Sequence, residues 1–450
     1  MWTTFKMSLK KMTPAQLIVG YYGIAITISV LMLRLPAVHL PGVEISFIDT
    51  IFTAVSAVSV TGLTVINISE TYTVFGIFVL MFVLQFGGIG VMTLGTFFWL
   101  LLGRKIGLKE RRLIMVDQNQ TSLAGLVNLI RDILKIIILI ELIGTLVLGV
   151  YFMNYYDSWQ ESFLHGLFAS ISATTNGGFD ITGESLLPFA DDYFVQLINI
   201  ILITLGAIGF PVLIEVKQFL ISKENNRFRF SLFAKLTSIT FLALLIVGTI
   251  VILLLEWNHA FKGVSWHKSF FYAFFQSTST RSGGLATLDV STFSQATLII
   301  MSGLMFIGAS PSSVGGGIRT TTFALNILFL YHFAKGNQHI KIFKRELHEE
   351  DIRKSLAVTM LAFVLCSLSL VILSISEEHS LLPLLFEICS AFGTTGLSMG
   401  ITAELSTVGK IVIMVLMFIG RVGLLSFLFM IGGKEKKENY HYPKERVIIG

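Results

Sequence analysis

Four short segments rich in Gly, Ser and Thr interrupt an otherwise apolar chain. They are SAVSVTGL (Ser56–Leu63), SATTNGGF (Ser172–Phe179), TSTRSGGL (Thr278–Leu285) and SAFGTTGL (Ser390–Leu397). Each ends in Gly followed by Leu or Phe, with Ser or Thr six residues before that Gly. The anchoring residues Gly62, Gly178, Gly284 and Gly396 are 116, 106 and 112 residues apart, so about a quarter of the chain is repeated four times. A Thr-Thr-Asn-Gly-Gly run is a poor helix former. Irregular backbone at membrane depth survives only where protein buries it or where it lines a wet cavity. Four equivalent loops around one axis meet the second condition, and their carbonyl oxygens can replace the hydration shell of a cation. The candidate donors are the carbonyls of Val60, Thr61 and Gly62, of Asn176, Gly177 and Gly178, of Ser282, Gly283 and Gly284, and of Thr394, Thr395 and Gly396. Glycine supplies the backbone angles that turn successive carbonyls to one side. The Ser and Thr hydroxyls behind the loops can satisfy backbone groups that do not face the ion.

The flanks must position these loops, and they repeat too. A short apolar run precedes each loop: FIDTIFTAV, FLHGLFASI, FFYAFFQS and LLFEICSAF. Such runs are too short to cross ~30 Å of hydrocarbon at ~1.5 Å per residue. They suit re-entrant half-helices whose negative C-terminal ends favour a cation. Full spans are expected before them, near 14–37, 127–153, 232–256 and 355–376, and after them, near 73–101, 193–221, 294–333 and 406–432. The later spans carry a second mark, QFGGIG, TLGAIG, FIGASP and FIGRVG. Its glycines Gly87, Gly206, Gly308 and Gly420 follow the anchoring glycines by 25, 28, 24 and 24 residues. Two marks in register predict an all-α polytopic membrane protein of eight spans. Four parallel units of helix, pore half-helix, loop and helix surround a pseudo-fourfold pore. The units run over 1–103, 104–222, 223–334 and 335–450, the last ending in a cytoplasmic tail.

Composition agrees with this reading. Apolar residues make up 54% of the 450-residue chain and charged residues 14%, against about 25% charged in soluble domains. Segments 1–13, 104–131, 217–235, 335–354 and 434–446 hold 25 of the 33 Lys and Arg residues. The positive-inside bias puts both termini and these loops in the cytoplasm, and it accounts for the basic charge without a nucleic-acid partner. The start leads from three lysines into a long apolar run with no small-residue cleavage site, as a retained first helix would. Cys366 and Cys389 lie in apolar context and read as buried small hydrophobes. No disulfide framework or zinc spacing is present.

VTGL, TNGGF, GTTGLSMG and FIGRVG resemble the filter repeats of the Trk/Ktr/HKT superfamily of potassium transporters. The likeness runs from about residue 14 to 432. Within that family the chain is most similar to the membrane subunits of bacterial Ktr systems (KtrB/KtrD type). The resemblance implies potassium uptake across a bacterial cell membrane, with selectivity for potassium where all four anchoring positions are Gly. It implies dependence on sodium, a homodimer, and a cytosolic nucleotide-binding ring of the KtrA/KtrC type on which ATP or ADP acts. Loops 217–235 and 335–354 are candidate docking surfaces for that ring, or carry orientation charge alone. The third loop departs most from the pattern: Arg281 lies three residues before Gly284. It stands either behind the filter, paired with an acid such as Glu387, or near the filter mouth.

The third unit breaks its second span within Ala309–Thr322, which holds a Pro, three consecutive glycines and a cluster of Ser and Thr. No Gly-Lys-Ser/Thr follows a strand there, so it is not a nucleotide-phosphate loop. The resemblance implies an intramembrane gate loop under the filter. Gly315, Gly316 and Gly317 would give it hinge freedom. Arg421, a costly charge within the last span, either pins the carbonyls of the broken span or raises a barrier to cations, and the two are compatible. Arg319 is a candidate second latch. Two competing classes are a broken-helix solute carrier and an intramembrane enzyme. The four units run parallel rather than inverted. Glu141 and Lys135 are the clearest catalytic candidates, and they share a helix face poorly. A sodium-permeable cation channel of the same fold is the nearer alternative.

Overall fold

The chain is described by a computed structural model over residues 13–91, 93–96, 106–117, 125–222, 228–337 and 339–432 and, in the tail, 440, 442, 443, 445 and 448. The basic start (1–12), most of the tail and parts of loops 104–131 and 217–235 lie outside the described residues. So do the expected unit boundaries at 103/104 and 222/223.

Four long apolar helices, each long enough to cross a membrane, open the four units: α1 (Pro14–Leu33), α5 (Leu126–Phe152), α9 (Leu232–Glu256) and α13 (Glu349–Ser376). A second set of short helices leads to the Gly-rich loops: α2 (Phe47–Ser59), α6 (Trp159–Thr174), α10 (Trp266–Ser279) and α14 (Leu381–Gly393). Each of these starts behind a serine, Ser46, Ser158, Ser265 or Ser380. In α2 and α6 the serine hydroxyl accepts a first-turn N–H, filling one of the donors that a helix start leaves open. The next residue is bulky and exposed in all four: Phe47, Trp159, Trp266 and Leu381. Such residues settle at a membrane–water interface.

The third set is α3 (Val74–Gly88), α7 (Tyr193–Ala207), α11 (Gln295–Ile307) and α15 (Thr407–Val422). Here the structure corrects the expectation of a break in the third unit alone. After α3, helix resumes at Val91, and α4 (Leu108–Asp117) precedes α5. After α7 the chain bends by 104° into α8 (Phe210–Ile221). After α11 a loop leads to α12 (Thr320–Ala334), and after α15 comes α16 (Leu424–Gly432). The breaks fall at the last residue of the second mark, at Gly90, Gly209 and Gly423, with φ of +90°, +104° and +90°. Only glycine takes such angles without strain. The third loop spans 308–319, so Thr320–Thr322, expected in the loop, form the first turn of α12.

Packing joins the sets into a closed circuit. Each short helix lies against the long helix of its own unit: α2 on α1, α6 on α5, α10 on α9 and α14 on α13. Each also packs on the third-set helix of the unit before it: α6 on α3, α10 on α7, α14 on α11 and, closing the circuit, α2 on α15. Polar bridges reinforce the joints. Lys410 of α15 meets Asp49 of α2 at 2.8 Å, and Lys268 of α10 meets Asp191, just before α7, at 2.7 Å. Lys268 and the Tyr272 hydroxyl both bond Asp191, which holds its carboxyl below the usual range. Glu256, Glu377 and Asp192 tie three of the four long helices, α9, α13 and α5, to the start of the third-set helix of the same unit. They bond Ser294, Ser406 and the Tyr151 and Tyr155 hydroxyls respectively. Between α12 and α13 a two-stranded hairpin pairs β1 (Lys341–Ile342) with β2 (Arg345–Glu346).

Candidate functional site

The four Gly-rich loops meet at the centre of the circuit. Their backbones share one conformation. The residue two before the anchor has positive φ in every loop, at Val60 (56°), Asn176 (53°), Ser282 (76°) and Thr394 (46°). The anchor does so too, at Gly62 (90°), Gly178 (65°), Gly284 (70°) and Gly396 (92°). Positive φ costs a non-glycine residue energy, so its recurrence at one register marks a constrained geometry. The anchors face one another. A Cβ on Gly178 would stand 2.9 Å from the Cα of Gly284 and 3.3 Å from that of Gly62. One on Gly396 would stand 3.0 Å from the Cα of Gly62 and 3.1 Å from that of Gly284. One on Gly62 would meet the Gly177 carbonyl oxygen at 2.6 Å. The twelve candidate residues are thus brought together around one axis, reached by the C-terminal ends of all four short helices.

Hydroxyls hold the loops from behind. Ser56 and Ser390 accept the N–H of Gly62 and Gly396 at 3.2 and 3.1 Å, and Ser172 donates to the Phe179 carbonyl at 2.6 Å. The third loop is shifted by one residue. Thr278 bonds back into its own helix, and Ser279 donates to the Leu285 carbonyl at 2.5 Å. The amides agree. Thr61, Gly177 and Thr395 reach back five residues to Ser56, Ser172 and Ser390, whereas Gly283 reaches back four to Ser279.

Arg281 lies behind this shifted loop, fully buried. The expected pairing with Glu387 does not form. Its guanidinium donates to the carbonyls of Leu304 (2.7 Å) and Gly308 (3.5 Å), at the end of α11. Leu304 also accepts the Gly308 N–H, so the arginine adds a second donor to an oxygen with two lone pairs, and a planar fork of donors suits two neighbouring carbonyls. Glu387, also fully buried, instead takes hydrogen bonds from Ser398 and Thr402 in the segment leaving the fourth loop. Replacing Glu387 with Leu would remove the acceptor that both hydroxyls share, leaving the partly buried Ser398 donor without its carboxylate at a cost of ~1–3 kcal/mol. We expect Glu387→Leu to melt at a lower temperature than Glu387→Gln in detergent. Equal melting would remove Glu387 from the support of this loop.

The loop 308–319 lies against the same constellation. Gly315 packs so closely on Ser282 that a Cβ would come within 2.5 Å of the serine Cβ, and one on Gly316 would reach Thr394 at 2.7 Å. The three glycines therefore serve close approach, where the sequence suggested hinge freedom. The broken second unit holds the loop: Ser310 and Val314 donate to the carbonyls of Ala207 (3.0 Å) and Gly206 (3.3 Å), and Phe210 donates to Ser312 (2.9 Å). Sequence reasoning missed this role of the α7–α8 break. The sixth residue of TLGAIG, Gly209, was its available signal. Arg421 reaches the loop from the fourth unit, donating to the carbonyls of Val314 and Ser313 and to that of Gly87 in the first unit. Arg319 donates to Gly315 and Ser310. Among the described residues neither arginine is in an ion pair, and no group of His, Cys, Asp and Glu could hold a metal.

Below the loop is a cavity of about 110 Å³, lined by Arg319, Arg421 and residues beside all four breaks, including Gly90, Phe210, Gly317 and Gly423. Of the enzyme candidates, Glu141 is taken by the Gln85 amide at 2.9 Å while Lys135 is exposed. The cysteines are buried and free.

Residues 7–439 match the family model described as TrkH, cation transport protein. The chain is 63% identical to Ktr system potassium uptake protein D of Bacillus subtilis, over 99% of each chain. It is 35% identical to Ktr system potassium uptake protein B of the same organism, over 98% of this chain and 97% of that one. It is 32% identical to potassium/sodium uptake protein NtpJ of Enterococcus hirae, over 98% of each. The crystal structure of the potassium transporter TrkH from Vibrio parahaemolyticus superposes with a TM-score of 0.69 at 19% identity, covering 86% of this chain and 79% of that one. That likeness is one of fold.

Proposed function

The chain belongs to the TrkH family of cation transport proteins, a family of membrane transporters rather than enzymes, and from that premise we propose that it takes up potassium across the bacterial cell membrane. The observation that carries this reading is the fourfold recurrence of one loop conformation around a common axis. Each loop ends a short helix whose negative end favours a cation. The carbonyls of residues 60–62, 176–178, 282–284 and 394–396 form the filter and replace water around a dehydrated ion. The relatives whose names specify potassium uptake support the choice of ion.

The loop 308–319 is the gate. It lies under the filter, and Arg421 and Arg319 hold it and place positive charge on the path. The eight spans follow if each broken third-set helix is taken with its continuation as one crossing. The exposed residues that open the short helices mark the outer face, and both termini are then cytoplasmic. In the cell the chain works as a homodimer seated on a cytosolic ring of nucleotide-binding subunits, as the word "system" in the relatives' names suggests. Sodium activates uptake or accompanies it, the reading favoured by the NtpJ name. A sodium-permeable cation channel of the same fold is the second reading, on the same observation.

Expression in a bacterium lacking its own potassium uptake should restore growth at low potassium, and ⁸⁶Rb⁺ should enter the cells. The culture should be tested with and without sodium and a co-expressed nucleotide-binding partner. No growth and no uptake under any condition would reject the proposal, and sodium entry without rubidium entry would favour the second reading.

A further inference from the structure

The cavity below the gate loop is electropositive from several sides at once. Arg319 and Arg421 line it, and neither has a carboxylate partner among the described residues. The Nε of Arg421 is buried with no hydrogen-bond partner although the residue is only 8% exposed. Its lining also takes in the first turns of three helices, through Phe210 of α8, Thr322 of α12 and Ser426 of α16. None of the three has an acidic residue in that turn, and α8 and α12 start without a side-chain cap. A helix start carries partial positive charge. Thr322 and Ser426 add hydroxyls. None of the described lining residues is acidic.

Buried charge is costly unless it is paired. Among the described residues the two guanidiniums donate to backbone carbonyls and meet no carboxylate, which leaves that requirement half met. From this we infer that the cavity binds a small inorganic anion, chloride in the cell, between Arg319 and Arg421. At about 110 Å³ it has room for such an ion and some water, given that one water occupies roughly 30 Å³ in the liquid. No carboxylate in the lining competes for the site. Occupancy offsets the positive charge under the filter, so the anion lowers the barrier to a cation leaving toward the cytoplasm. This consequence rests on the gate reading, whereas the binding itself does not.

The test uses the full-length protein. Crystals soaked in bromide should show an anomalous peak within hydrogen-bond reach of both guanidiniums, and Arg319→Gln should lose it. If that variant does not fold, Ser426→Ala should weaken the peak. No bromide in the cavity of the unaltered protein, or a peak indifferent to both substitutions, would overturn the site. In proteoliposomes, replacing cytoplasmic-side chloride by gluconate should lower ⁸⁶Rb⁺ flux several-fold. Equal flux in the two anions with bromide bound in the crystal would overturn the effect on transport while leaving potassium uptake as proposed.

Discussion

Arg421→Ala should pass cations faster than the unaltered protein, by more than tenfold in ⁸⁶Rb⁺ flux into proteoliposomes. Two effects point the same way. The guanidinium reaches Val314 and Ser313 of the gate loop and Gly87 of the first unit, so its removal frees one side of that loop. It also places an unpaired charge beside the path. At an effective dielectric constant near 20, a unit charge about 8 Å away raises a cation's energy by roughly 2 kcal/mol. A barrier change of ~1.4 kcal/mol is already tenfold in rate. Arg421→Lys separates the effects, because lysine keeps the charge but not the planar fork. If charge dominates, the lysine variant stays slow; if pinning dominates, it resembles the alanine one. Flux unchanged in Arg421→Ala protein that melts normally would reject a barrier role altogether.

The sequence made this residue visible because a charge within an apolar run is rare, whereas Arg281 stood out as the charge in an otherwise uncharged set of loops. What each binds was not legible. Both bond to backbone carbonyls rather than to acids, and those carbonyls lie at helix ends and in the loop 308–319, whose places only the fold sets. The stops at Gly90, Gly209 and Gly423 stood in view in the second mark. There they read as small residues within a continuous span, since apolar flanks say nothing about helix direction. The third stop was legible because a Pro and three consecutive glycines cannot continue a helix. The four Gly-rich loops were the most readable part. Their register repeats in sequence, and a recurrent need for positive φ selects Gly at the same place each time. At the other positive-φ position the residues are Val60, Asn176, Ser282 and Thr394. No residue type repeats there, so its conformation appeared only in three dimensions. The one-residue shift of the third loop was likewise hidden, because Thr278 and Ser279 both offer a hydroxyl and only packing selects between them.

Gly62→Ser should reduce the preference for potassium over sodium, and the geometry gives the reason. With φ of +90° the position resists any side chain, and a Cβ would come 2.6 Å from the Gly177 carbonyl oxygen and 2.8 Å from the Cα of Gly178. The neighbours are backbone atoms of the adjacent loop, so they cannot rotate away as a side chain would. Relief requires the first two loops to part or to re-aim their carbonyls. Either response alters the oxygen shell that distinguishes the two ions. A discrimination of tenfold represents only ~1.4 kcal/mol, comparable to the ~1–3 kcal/mol that a strained backbone position costs. The substitution should therefore erase about tenfold of the preference, read as sodium competition against ⁸⁶Rb⁺ uptake. Gly303→Ser is the control: Gly303 lies in α11 with nothing within 4 Å of where a Cβ would stand, and selectivity should hold. Selectivity retained in both variants would remove the first loop from the filter. Loss in both would mean that the assay reads general damage rather than the close approach of Gly62 to its neighbour.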